Sequence, residues 1–218
     1  MGPVDPVAST SHNMAMETLV PTRVLLLSGE PGSGKTTASL RLVDMARAAG
    51  MLVGGVLAPM LYDSDGESAC IQGLHIRTGA KHIIALSGDL DATGILRDRF
   101  SVAQGRFRLD PAALRWALRV TLDDLRADLD LVLIDEIGPL ELERNLGFAP
   151  ALDCLPLARA RAVVLIVRSR LADHLRERLG PLCACTVMLS TENRGRVPSR
   201  LLRDVLPAPT RGGLGERP

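Results

Sequence analysis

Short apolar runs alternate with stretches of helical spacing along most of this chain of 218 residues. Residues 23–28, 51–58, 130–135, 162–167 and 184–189 form the runs. Each is of strand length and mostly apolar rather than alternating, which predicts strands covered on both faces. Leu40, Val43 and Ala46 share one helical face over residues 34–49, and Gly50 follows as a stop. Asp110-Pro111 has the residue types of an N-cap and first helical position, so a helix is expected from there to about 128. A helical stretch over 140–159 should break at Pro150 and Pro156, and another over 170–179 should close at Gly180. Strand and helix in turn predict an α/β fold, a mostly parallel sheet with helices on both faces.

Residues 60–109 interrupt the alternation. Asp63-Ser64-Asp65-Gly66 reads as a turn, and 70–77 with 82–86 around Thr78-Gly79 as a β-hairpin. One domain over 21–206 is expected, carrying a β-rich insertion at 59–109. Residues 1–20 and 207–218 are rich in Pro, Gly, Ser and Thr without period, and are expected to be a flexible leader and a tail.

Composition narrows the function classes. The net charge is +1 and aromatics make up 2%, which argues against nucleic acid or a membrane surface as partner. No signal-like or membrane-length apolar segment stands out, so a cytoplasmic protein is expected, a monomer or weak oligomer. The four cysteines, at 70, 154, 183 and 185, show no Cys-x-x-Cys pair and are expected to be buried free thiols. His75 and His82 receive no role, and Trp116 is assigned to the core.

The strongest chemical signal is Gly29-Glu30-Pro31-Gly32-Ser33-Gly34-Lys35-Thr36, which matches Gly-x-x-x-x-Gly-Lys-Thr in full between an apolar strand and an amphipathic helix. Glycines let main-chain N–H groups surround a phosphate, and the helix directs its positive end at the same anion. Lys35, one of two lysines in the chain, would reach the β and γ oxygens, and the Thr36 hydroxyl would ligate Mg2+. A nucleoside triphosphate such as ATP or GTP is the substrate this implies. Thr37 completes the candidate nucleotide-binding set.

Leu131-Val132-Leu133-Ile134-Asp135-Glu136 sets two acids at the end of a buried strand, the edge where ligands bind in such sheets. Asp135 is the candidate for the metal. Glu136 is the candidate for orienting water and taking its proton. Arg168 and Arg170, after the strand at 162–167, and Arg194 are candidates for the positive charge that stabilises phosphoryl transfer.

Asp135-Glu136-Ile137-Gly138-Pro139-Leu140-Glu141-Leu142 resembles the DEIG-x-MEL signature of the THEP1-like nucleoside-triphosphatases. Gly29 to Thr37 looks like that family's GEPG-x-GKTT, and Thr191-Glu192-Asn193-Arg194 is similar to its T-x-ENR element. The resemblance implies a RecA-like P-loop core and Mg-dependent hydrolysis of ATP, GTP and other NTPs with little base selectivity. It also implies a role near the nucleotide for Asn193 and Arg194. After the second strand the family's aromatic, Thr and acid are missing from Gly55-Val56-Leu57-Ala58-Pro59-Met60-Leu61-Tyr62. Two other readings stay open: a kinase passing the γ-phosphate to a small acceptor or nucleotide, and a slow NTP-dependent switch whose 59–109 insertion meets a protein partner.

Overall fold

The computed structural model describes residues 21–88 and 98–206. The leader expected at 1–20, the tail at 207–218 and part of the insertion, 89–97, lie outside the described residues. The elements run β1 (Arg23–Gly29), α1 (Lys35–Ala48), β2 (Val53–Leu57), β3 (Met60–Tyr62), β4 (Ser68–His75), β5 (Lys81–Ser87), β6 (Val102–Gln104) and β7 (Phe107–Leu109). They continue with α2 (Pro111–Arg126), β8 (Leu131–Ile137), α3 (Pro139–Leu142), α4 (Ala149–Cys154), β9 (Ala162–Arg168), α5 (Ala172–Leu179), β10 (Cys183–Leu189) and α6 (Val197–Val205).

All strands join one sheet in the order β10-β1-β9-β8-β2-β4-β5-β7-β6, with β3 on β4. From β10 to β2 every pairing is parallel, and from β2 outward every pairing is antiparallel. Strand β9 therefore separates β1, which leads into the glycine loop, from β8, which carries the acids. This is the layout expected of a RecA-like core. The insertion is not a detached lobe: β4 bonds directly to β2, and the hairpin extends the central sheet.

The central parallel strands β1, β8 and β9 are apolar along most of their length because both faces are covered. Val24, Leu26, Val132, Ile134, Val163 and Leu165 face α2, α4 and α5. Leu25, Leu27, Leu131, Leu133, Val164 and Ile166 face α1 and α6. Helix α6 has Val197, Leu201 and Val205 on its buried side. That i, i+4, i+8 spacing is a signal the sequence reading passed over.

Other expectations shift. The stretch 140–159 breaks at 143–148, where Asn145 and Gly147 have positive φ, and not at Pro150. Pro150 lies in the first turn of α4, where a missing N–H costs nothing. The cysteines are free but only partly buried. Cys183 packs toward one core and Cys185 toward the other, because the β1–β10 register slips at Ala184. Trp116 is half-buried rather than central, its ring centroid 4.1 Å from that of His82. His75 is buried against Asp124, its Nε2 3.0 Å from Oδ2. Asp110 caps α2 as expected, accepting from the N–H groups of Ala112 and Ala113.

Candidate active site

The loop from Glu30 to Gly34 is closed by its own composition. Ser33 N–H donates to the Glu30 carbonyl at 3.1 Å, and Gly32 and Gly34 take φ of 77° and 91°, which side chains disfavour. A Cβ on Gly29 would lie 2.7 Å from Ser33 Oγ and 2.8 Å from the Leu189 carbonyl, so β1 and β10 need glycine there to approach. Ser33 Oγ is buried with no hydrogen-bond partner among the described residues. Pro31 and Thr37 are exposed.

Lys35 begins α1 and is buried, its Nζ donating to the carbonyls of Gly29 at 2.8 Å and Glu30 at 2.9 Å. Burial draws its pKa down, against the pull of the Glu136 and Asp135 carboxylates. Thr36 Oγ1 donates to Asp135 Oδ2 across 3.1 Å, although the two stand 99 positions apart. Asp135 is 3% exposed and also accepts from Ala58 N–H at 3.3 Å. Burial, then the neighbouring Glu136 charge, raises its pKa to about 6. A hydroxyl and a carboxylate at this separation are hard oxygen donors of the kind magnesium takes, so the residues present fit the ion.

Glu136 is half-buried and accepts from Arg168 Nε at 2.5 Å. Adjacent acids thus have different partners: Asp135 meets Thr36 and the loop, and Glu136 meets the end of β9. Ser169 Oγ donates to Glu30 Oε1, tying the loop to the same strand end. Arg170 is exposed beside them.

A cleft of about 350 Å³ opens beside the loop, lined by Gly34, Thr37, Ala38, Arg41, Thr191, Arg194 and Gly195. Arg194 leans over the start of α1, its Cδ 3.7 Å from where a Cβ on Gly34 would lie. Arg41, nearly two turns into α1, is a wall of this cleft that the motifs do not mark. Asn193, which the family resemblance sets near the nucleotide, is bonded to its own loop. Its Oδ1 accepts from Ser190 N–H at 2.9 Å and its Nδ2 donates to the Met188 carbonyl at 2.9 Å, so its amide folds the loop after β10.

The structure thus brings together the loop, Lys35, Thr36, Asp135, Glu136 and Arg168. It sets Arg194 at the cleft and turns Asn193 onto its own loop. Among the described residues no helix is long and apolar enough to cross a membrane.

Comparison with known proteins shows the family and the fold. A family model described as NTPase matches residues 24–202. The nucleoside-triphosphatase THEP1 of Hyperthermus butylicus is 31% identical over 195 residues, spanning 88% of this chain and 96% of that protein. The THEP1 of Methanopyrus kandleri is 28% identical over 185 residues, spanning 84% and 94%. The crystal structure of THEP1 from the hyperthermophile Aquifex aeolicus superposes with a TM-score of 0.54 over 84% of this chain and 99% of that one, at 19% identity. That likeness speaks to the fold. With the family model spanning most of the sequence, this chain belongs to the THEP1-like family of P-loop nucleoside-triphosphatases.

Proposed function

We propose that the chain hydrolyses nucleoside triphosphates to the diphosphate and phosphate, with Mg2+ and with little regard for the base. The observation that carries this is the meeting of Thr36 and Asp135 at 3.1 Å directly beneath a complete phosphate loop. Main-chain N–H groups of residues 32–36 would cradle the polyphosphate, and the Ser33 hydroxyl, unpartnered among the described residues, would turn to it. Lys35 would exchange its two carbonyl partners for phosphate oxygens. Thr36 and Asp135 would hold Mg2+, which when bound supplies positive charge against the β and γ oxygens.

Glu136 takes a proton from water as the water oxygen bonds to the γ-phosphorus. The bond from that phosphorus to the bridging oxygen breaks, and the electron pair leaves with the diphosphate. Arg168, freed from Glu136, lies where it can meet charge on the γ-phosphoryl group. The cleft beside α1 supports weak base selection, because its polar side chains are two guanidinium groups and two hydroxyls, with no carboxylate or side-chain amide to read a base edge. Arg41 and Arg194 offer planar faces that any base can stack upon.

The test is phosphate release from ATP, GTP, CTP and UTP, with Mg2+ or with chelator, and without an acceptor. Release from all four that stops with chelator is expected. No release from any of them, on folded protein, would overturn the reading; transfer only to an added acceptor would replace hydrolysis with a kinase reaction.

A further inference from the structure

Glu141 lies outside the group that touches the phosphate loop, yet its carboxylate has an unusual setting. It is the third residue of α3 and is 3% exposed. Oε2 accepts from the N–H of Gly138 at 2.8 Å, and Oε1 accepts from the N–H of Phe148 at 3.2 Å. Reaching back to the start of its own helix is half of a capping box. Taking a second donor from beyond the helix is not part of that motif. One carboxylate therefore closes both ends of the segment 138–148, which follows directly on Glu136 and Ile137.

The room for this group is built in. A Cβ on Gly147 would lie 2.2 Å from Glu141 Oε1, so only glycine leaves the carboxylate in place. A Cβ on Gly138 would lie 3.7 Å from Glu141 Oε2 and 3.8 Å from Glu136 Oε1. Both carboxylates thus lie within 4 Å of the same point beside Gly138. Ile137 is fully buried, so the chain between Glu136 and Gly138 has little freedom of its own. An α3 of four residues needs no buried acid to cap it, and burying a carboxylate costs stability that two N–H donors offset only in part.

We propose that Glu141 is a positioning residue for hydrolysis: it pins the main chain after β8 and so fixes where the Glu136 carboxylate stands. The inference rests on Glu136 being the group that takes the proton from water. If Glu141 acts through Glu136, its loss should slow turnover and leave nucleotide affinity alone. It should also have no further effect once Glu136 is gone.

The experiment is a double-mutant cycle on the full chain, with kcat, KM and direct nucleotide affinity measured for wild type, Glu136→Gln, Glu141→Gln and the double variant. Expected are a loss of about 10-fold or more in kcat for Glu141→Gln, the size usual for outer partners of a functional group. Nucleotide affinity should be unchanged, and the double variant should be no slower than Glu136→Gln alone. Gly147→Ala keeps every carboxyl but pushes Glu141 from its seat, and should show the same kinetic signature; it serves if Glu141→Gln does not fold. Wild-type kcat in Glu141→Gln, or losses that multiply in the double variant, overturn the inference. If Glu136→Gln itself turns over like wild type, it is the reading of Glu136 that fails.

Discussion

Arg168 Nε stands 2.5 Å from Glu136 Oε1, so the cation at the end of β9 and the acid at the end of β8 neutralise each other before substrate arrives. Both are partly exposed, and the pair separates easily compared with one in a dry interior. A γ-phosphate entering between them would compete for the guanidinium and release the carboxylate.

Arg168→Ala should therefore lower kcat by about 10³-fold, the lower end of what a transition-state arginine supplies. Nucleotide affinity should change little. Single-turnover phosphate release checks this, and an unchanged rate would reduce Arg168 to a resting partner of Glu136.

Two glycines with similar backbone angles should respond very differently to alanine. Gly55, at φ +98°, sits in β2 where a Cβ would come within 2.0 Å of the Leu133 carbonyl and 2.7 Å of its nitrogen. Gly50, at φ +78°, closes α1 with open space around it. Gly50→Ala should cost about 1–2 kcal/mol, the price of a left-handed residue. Gly55→Ala should leave no cooperative unfolding transition, because backbone on two central strands must part. Urea denaturation of both variants compares them.

Asp124 holds three elements together from the floor of α2. It is fully buried and meets the N–H of Gly55 at 2.6 Å, His75 Nε2 at 3.0 Å and the Arg77 guanidinium at 3.0 Å. Thr78 Oγ1, 2.9 Å from His75 Nδ1, extends the network to the hairpin turn. Removing one partner strands the others, so Asp124→Ala should cost about 3–5 kcal/mol. The measurement is the shift in urea midpoint, and a shift below 1 kcal/mol, about the size of an exposed pair, would show the network is dispensable.

Glu141 also makes a prediction about pH. Burial raises its pKa from 4.5 to about 7 in the folded chain. As pH climbs from 4.5, the unfolded chain gives up this proton first, while the folded chain keeps it until about 7. The folded state binds more protons in that window, so the stability Glu141 contributes at low pH is lost as pH rises. Wild type should lose on the order of 3 kcal/mol more than Glu141→Gln between pH 4.5 and 7.5. Urea midpoints across this range decide it, and parallel profiles would mean that the carboxyl titrates as an ordinary one.

What could be read in advance follows how far apart the cooperating residues stand. The phosphate loop is eight consecutive residues between a strand and a helix, so its geometry is written locally. Asp135 and Glu136 were legible because a buried strand ending in two acids has few other uses beside such a loop. The pairing of Glu136 with Arg168 depends on β9 lying next to β8, which no local spacing reveals. Glu141 stands in the Asp135–Leu142 signature without an assigned role; only the return of Phe148 shows that it is enclosed. Asp124, likewise, is one of two adjacent acids in α2 until β2 and β4 close over it. Asn193 has a local task its motif alone does not reveal: its amide holds the turn after β10. The helix at 197–205 was missed for a simpler reason: although its apolar positions recur every four residues, Arg196, Arg200 and Arg203 give the stretch a polar look.

Strand β2 is the seam where parallel pairing gives way to antiparallel, bonded to β8 on one flank and to β4 on the other. A load on the outer hairpin has no slack joint to absorb it, because two rungs of shared backbone bonds lie between β4 and the acid-bearing β8. The added strands behave as an outrigger fixed to the hull: whatever tilts them also rocks the platform on which Asp135 and Glu136 stand.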